Sequence, residues 1–280
     1  MRKRHRAARR CTRREAAERG FALLVVLWWT ALLALLGTQL AAAGRLEAQR
    51  AGNLRSAAAA RAAADGVLQE TVFHLLDGSP AGWAADGATH VVSVRGGLAR
   101  VEVRSEAAKV GLNQASPGLL AALLTRLGTD PRQAAALADA ILDWRTATPR
   151  RRTLGAKAPE YRAAGQDYAP PNSDFETLDE LRLVRGMTPE IMARLVPYVS
   201  VYQFGDPDLA LADTVVRLAS ADSGDVAGDA AERAGPSGAA PVVAVAVLVE
   251  MAGGARAARR TVVRLALDAA RRPFQILDQE

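Results

Sequence analysis

Twenty-four consecutive residues, Phe21 to Gly44, carry no charge, and nine arginines or lysines crowd the twenty residues before them. No other feature constrains the fold as strongly. The core of the run, Phe21 to Leu36, reads FALLVVLWWTALLALL, with Thr30 its only polar residue. As a helix the uncharged run is about 36 Å long, enough for a bilayer core of about 30 Å. A secretory signal places small residues and its cut beyond a shorter apolar core. Here Gly20 lies before the run. A cut at that glycine would leave the apolar helix on the mature chain. A generic signal anchor is the simpler alternative.

The formal net charge of +6 belongs to the first twenty residues. They hold two acids, Glu15 and Glu18, against their nine basic residues, and the rest of the chain has 27 basic and 28 acidic side chains. A basic leader before a membrane span fits a cytoplasmic N-terminus. The single cysteine, Cys11, is also in the leader. The chain beyond it can form neither an internal disulfide nor a cysteine-ligated zinc or iron–sulfur site. His74 reads as a helix-face residue and His90 as a strand or loop residue, far apart, with no spacing that suggests a ligand or catalytic pair. No phosphate-binding loop, zinc-protease motif, dinucleotide fingerprint or nucleophile–base–acid set is present, so catalysis is not expected.

The helix is expected to continue from about residue 21 to 76. Residues 45 to 76 lack proline and are rich in strong helix formers. Leu68, Val72 and Leu75 share one face, widened by Phe73 and Leu76, and Asp77-Gly78-Ser79-Pro80 is a stop. The apolar first part can face lipid or other helices, while the amphipathic second part needs a sheet or helices to cover it. Val91 to Val94 and Leu98 to Arg104 alternate about Gly96-Gly97 and predict a β-hairpin. Pro241 to Glu250, Arg260 to Leu267 and Phe274 to Leu277 predict further strands, completing one sheet from the C-terminal side.

Between the two groups of strands the pattern turns helical. Ser116-Pro117 and Asp130-Pro131 each pair an N-cap with proline in the first turn. Leu119, Leu120, Leu123, Leu124 and Leu127 face one core, as do Leu137, Ile141 and Trp144. Thr146 to Ser173 has four prolines and no apolar period, and reads as a long irregular loop. Phe175 to Tyr198 reads as helix, turn, helix, with Gly186 as a left-handed cap and Thr188-Pro189 opening the second arm. A short helix is expected near Leu209 to Ala219, then a flexible connection over residues 220–238.

Arg19-Gly20-Phe21 before an apolar helix resembles a type IV prepilin processing site. Ala22 to Trp28 (ALLVVLW), Arg50-Ala-Gly-Asn53, Ala64-Asp-Gly66 and Glu106-Ala-Ala-Lys-Val-Gly-Leu-Asn113 resemble the minor pseudopilin K family of bacterial type II secretion systems. Gly111 stands where that family more usually has asparagine.

The resemblance implies an α+β fold: a pilin-like long N-terminal helix packed on a small antiparallel sheet, with an inserted all-α domain. It divides the chain into a prepilin leader (1–20), a transmembrane and assembly helix (21–44), a pilin-like domain (45–110 and 201–280) and the inserted domain (111–200). Prepilin peptidase would cut between Gly20 and Phe21, and Phe21 would be N-methylated. The glutamate that most pseudopilins carry at the fifth mature position is absent, and Val25 stands there, as in a subunit at a fibre tip. The implied partners are minor pseudopilins I and J, prepilin peptidase and the inner membrane, with a periplasmic C-terminal part and no homo-oligomer. Asp143-Trp144-Arg145 resembles the start of a calcium-holding loop, but Arg150-Arg151-Arg152 follows where acids would be expected. No cofactor is expected, calcium being the one open candidate. The segment Leu183 to Pro189 resembles a DNA-binding helical hairpin, and a competence or type IV pilus component is the alternative function. Nucleic acid is not an expected partner, because the chain past the leader has no positive excess to supply the electrostatic term. An unprocessed single-pass membrane enzyme is a further alternative.

Overall fold

The computed structural model describes residues 5–224, 240–265 and 273–279. The connection expected over residues 220–238 lies for the most part outside the described residues. Two compact units divide the chain, Met1–Ala59 and Ala60–Glu280.

Helix α1 runs from His5 to Leu76 without interruption. It begins upstream of the expected start, because the arginines, alanines and glutamates before Gly20 are themselves helix formers. In the first unit Phe21, Leu24, Leu27, Trp28, Leu33 and Leu36 are all exposed. They lie around the whole circumference of the helix, the pattern of a helix made for lipid or for other helices.

The second unit begins in the same helix. Ala60, Ala64, Val67, Leu68, Thr71 and Val72 are buried and form one stripe. They pack on alternate residues of the sheet: Ala99, Val101 and Val103, then Val243, Val245, Val247 and Val249. Thr71 fits among these apolar groups because its hydroxyl donates to the Val67 carbonyl at 2.8 Å. Phe73 does not widen the stripe: it is 68% exposed. One step past Val72 turns a side chain by about 100°, away from the sheet.

The sheet has five strands in the order β1-β2-β5-β6-β7: β1 (Asp86–Val94), β2 (Gly97–Ser105), β5 (Val242–Met251), β6 (Arg256–Leu265) and β7 (Phe274–Gln279). Every pairing is antiparallel. Arg95 and Gly96 turn the first hairpin, with Gly96 at φ +83°. Gly97 answers a different need: a Cβ there would lie 2.3 Å from the Glu250 carbonyl oxygen on β5. The chain leaves the sheet after β2 and returns to it at β5, beside the strand it left. The C-terminal strands therefore complete the sheet as expected.

The intervening residues build a second core, richer in leucines and aromatics than the core under the sheet. Glu106 and Lys109 form a buried ion pair at 2.6 Å where the chain leaves β2. Two short parallel strands follow, β3 (Val110–Gly111) and β4 (Val199–Ser200). Gly111 is fitted here: a Cβ would lie 2.5 Å from the Gln203 carbonyl oxygen. Helices α2 (Pro117–Arg126) and α3 (Pro131–Arg145) start as their caps predict. The Ser116 hydroxyl accepts from the Leu119 N–H, and the Asp130 carboxylate from those of Arg132 and Gln133. Helix α6 (Thr214–Asp222) packs on α2 and starts later than expected, because Asp213 caps it at the Val215 N–H.

Candidate functional site

Gly20 and Phe21 lie inside α1, with Val25 one turn beyond them. Phe21 is exposed, and Val25 is 38% exposed. Among the described residues this is the one helix long and apolar enough to cross a membrane. A helix carries its own backbone hydrogen bonds into lipid, so such a segment needs only apolar side chains to be stable there.

The long stretch after α3 is less irregular than its composition predicts. It contains α4 (Ala158–Ala163), whose first turn is fixed by the Glu160 carboxylate accepting from the Lys157 N–H at 2.9 Å. That contact also holds the Glu160 carboxyl below its ordinary pKa. The Asp139 carboxylate accepts from the Leu154 N–H at 3.0 Å, and Asp143 from the Arg152 N–H at 3.1 Å. Burial pushes the Asp143 pKa up, against the pull of that N–H and of the Lys157 charge. Gly155 passes so close that a Cβ would lie 2.1 Å from an Asp143 carboxylate oxygen. Arg152 thus meets Asp143 through its backbone.

Further contacts fix the residues on either side of this stretch, and Tyr161 within it. The Asn113 side chain accepts from the Phe175 N–H at 2.8 Å and donates to its carbonyl at 3.0 Å. Trp144 stacks on Phe175 at 6.1 Å, and its indole N–H donates to Glu180 at 3.3 Å. The buried Tyr161 hydroxyl accepts from the Arg185 N–H at 2.9 Å, and desolvation pushes its pKa up to about 12. Arg145 donates to the carbonyls of Leu112 and Ala115, and burial brings its pKa down to about 10.

The hairpin over residues 175–198 differs from expectation in its first arm. Leu178–Leu183 is a 3₁₀ helix, and only α5 (Pro189–Leu195) is α-helical. Glu180 holds the N–H groups of Glu176 and Thr177 at 2.8 and 3.0 Å, tightening the first turn. Gly186 has φ +90°, and the Thr188 hydroxyl caps α5 at Ile191. Arg182 pairs with Asp179, and Arg194 donates to the Leu127 carbonyl at 2.7 Å and to that of Glu190 at 3.2 Å. Arg182 and Arg194 therefore have partners inside the fold.

His74 and His90 are not far apart. Their rings lie flat on opposite faces of the Trp83 indole, with centroids 4.6 and 4.0 Å away and planes within 7° and 5°. The stack joins the last turn of α1 to β1, and the Trp83 N–H donates to the His74 carbonyl at 3.0 Å. No spacing in the sequence signals it. Among the described residues no group of three or more His, Cys, Asp or Glu side chains is placed to hold a metal ion.

Residues 98–204 match the profile of the family described as type II secretion system protein K. A type II secretion system protein K of Aeromonas hydrophila is 28% identical over 208 residues, covering 64% of this chain and 62% of the relative. The fold resembles, at a TM-score of 0.58 and 16% identity, a chain in the crystal structure of the GspK–GspI–GspJ complex of the enterotoxigenic Escherichia coli type 2 secretion system. That superposition covers 85% of this chain and 98% of the solved one. The long helix on an antiparallel sheet and the helical region between β2 and β5 agree with these matches: the chain is similar to the type II secretion system protein K family.

Proposed function

We propose that the chain is a minor pseudopilin, made as a prepilin, cut between Gly20 and Phe21 and N-methylated at Phe21. Its apolar helix would sit in the inner membrane with a cytoplasmic N-terminus and a periplasmic C-terminal part. The observation that carries this reading is one helix with two solvents: apolar on every side around residues 21–40 and one-sided from Ala60 onward. A helix of that kind can rest in lipid and move into a fibre while its far end keeps its own sheet. Mass spectrometry of the membrane form tests the processing. Phe21 should be the first residue when prepilin peptidase is active, and Gly20→Glu should leave the chain uncut. An intact Met1 terminus in cells with active peptidase would defeat this reading.

The assembly role follows from Val25. A carboxylate among apolar helices must find a partner, because unpaired it costs several kcal/mol. With valine at that position the subunit offers no charge to a neighbour above it. It would cap a short fibre with minor pseudopilins I and J, without forming homo-oligomers and without catalysing a reaction. Residues 111–200 would be the inserted domain whose bulk blocks further addition. Light scattering should give a complex with I and J, and a monomer in their absence. A homopolymer would refute the tip position even with processing intact. The DNA-binding alternative is weakened by the internal partners of Arg182 and Arg194.

A further inference from the structure

The segment after Asp143-Trp144-Arg145 gathers oxygen atoms around one point, as a loop does that holds a hard cation. Calcium takes about six to eight oxygens at about 2.3–2.6 Å. Here the point is already filled. The Lys157 ammonium nitrogen lies 2.5 Å from the Asp143 carbonyl, 2.7 Å from the Thr146 carbonyl and 2.6 Å from the Asn172 side-chain oxygen. An ammonium has three donors, and all three are used in short hydrogen bonds. A neutral amine has two N–H groups and would leave one of these oxygens unserved.

The surrounding charges balance one positive charge. Asp143 is 1% exposed, and its field opposes the fall in pKa that burial imposes on Lys157. The other nearby carboxylates have work elsewhere: Asp139 holds the Leu154 N–H, and Glu160 holds the Lys157 N–H and pairs with Arg151 at 3.4 Å. A dication beside this ammonium would bring two like charges within a few ångströms under a buried surface, where Coulomb energies are large. The donor set therefore does not fit calcium while Lys157 is in place.

We infer that Lys157, 5% exposed, is itself the cation of this loop: its ammonium does for residues 143–172 what a bound metal ion would do, and the loop is ordered without metal. Asn172 supports the same reading. It adopts φ +59°, uncommon for a residue with a side chain. Its N–H donates to the Trp144 carbonyl at 3.1 Å while its side-chain oxygen serves Lys157. One side chain at position 157 thus closes a ring of contacts from the end of α3 to the approach to the hairpin.

Hydrogen exchange of the full chain in detergent micelles, read over residues 144–173, tests this. With millimolar calcium or with EGTA, the wild-type loop should exchange at rates equal within about twofold. Lys157→Met keeps most of the stem and removes the charge, and should speed loop exchange by about tenfold or more in either buffer. Asn172→Ala removes one acceptor and leaves Lys157 in place. It should speed exchange about threefold, and it decides the matter should Lys157→Met not accumulate. A wild-type loop that loses protection tenfold in EGTA would overturn the inference. So would unchanged exchange in Lys157→Met or Asn172→Ala.

Discussion

The apolar helix of residues 21–40 and the helical region between β2 and β5 solve opposite problems. In the first, the large side chains are exposed and the polar ones turn back on their own helix: Thr30 and Thr38 donate to carbonyls three residues earlier. In the second, leucines and aromatics are enclosed, and the half-buried Asn113 pairs with Phe175, far away in sequence. The first segment takes its stability from whatever surrounds it. The second carries its surroundings with it. Changes that open a cavity or add strain should therefore be felt in the second, and changes of polarity in the first.

The largest stability loss should come from the enclosed region. Leu123→Ala, at a fully buried position of α2, should cost about 2–5 kcal/mol of unfolding free energy, read by chemical denaturation. The same truncation at Leu27 should leave the denaturation midpoint of the folded unit unchanged. Equal losses at the two positions would break the comparison. Next comes Leu27→Asp, which places a charge in the apolar helix. It should cost about 2.5–3.5 kcal/mol of membrane insertion, seen as a shift from the membrane to the soluble fraction, with the midpoint again unchanged.

A smaller effect is expected at Gly186. Its φ of +90° admits a side chain only under strain, although the nearest atom to an added Cβ is 3.9 Å away. Gly186→Val should therefore destabilise by about 1–2 kcal/mol through the backbone alone. A loss below about 0.3 kcal/mol would mean that the turn relaxes. The smallest change should follow Arg182→Gln with Arg185→Gln. The Arg182–Asp179 pair is exposed, and exposed pairs contribute about 0–1 kcal/mol. Secretion should also be retained. A secretion defect at normal stability would show that this face binds something.

The parts of the fold legible in the sequence are those where the signal is local. Ser116-Pro117, Asp130-Pro131 and Thr188-Pro189 each state a helix start within three residues, and all three cap as read. The sheet is legible because alternation has a period of two and its turns need glycine. What failed was decided by tertiary closure. Phe73 belongs to the apolar class but sits one step off the buried stripe. The first arm of the hairpin has helical composition, yet Glu180 draws its turn tight. Lys157 carries no mark in the sequence at all. Its three oxygens come from positions 143, 146 and 172, in a stretch without period, and the loop around them must close before they meet. The arginines that follow drew attention by their number, while the cation that matters stood five residues further on.

The parallel pair of β3 and β4 has a consequence for how such a chain can change. Val110 lies beside Val199 and Gly111 beside Ser200, so everything from Leu112 to Tyr198 leaves from and returns to one place. Bringing the two ends together has an entropic cost that grows only with the logarithm of the excursion's length. Each doubling adds about 0.6 kcal/mol. Most of that cost is met once, at the neck, whatever lies beyond it. An insertion in the exposed turn around Arg150 should therefore be almost free, whereas a side chain at Gly111 would push the neck itself apart. A chain with this neck can therefore change the size and surface chemistry of the excursion while the sheet that anchors it stays the same.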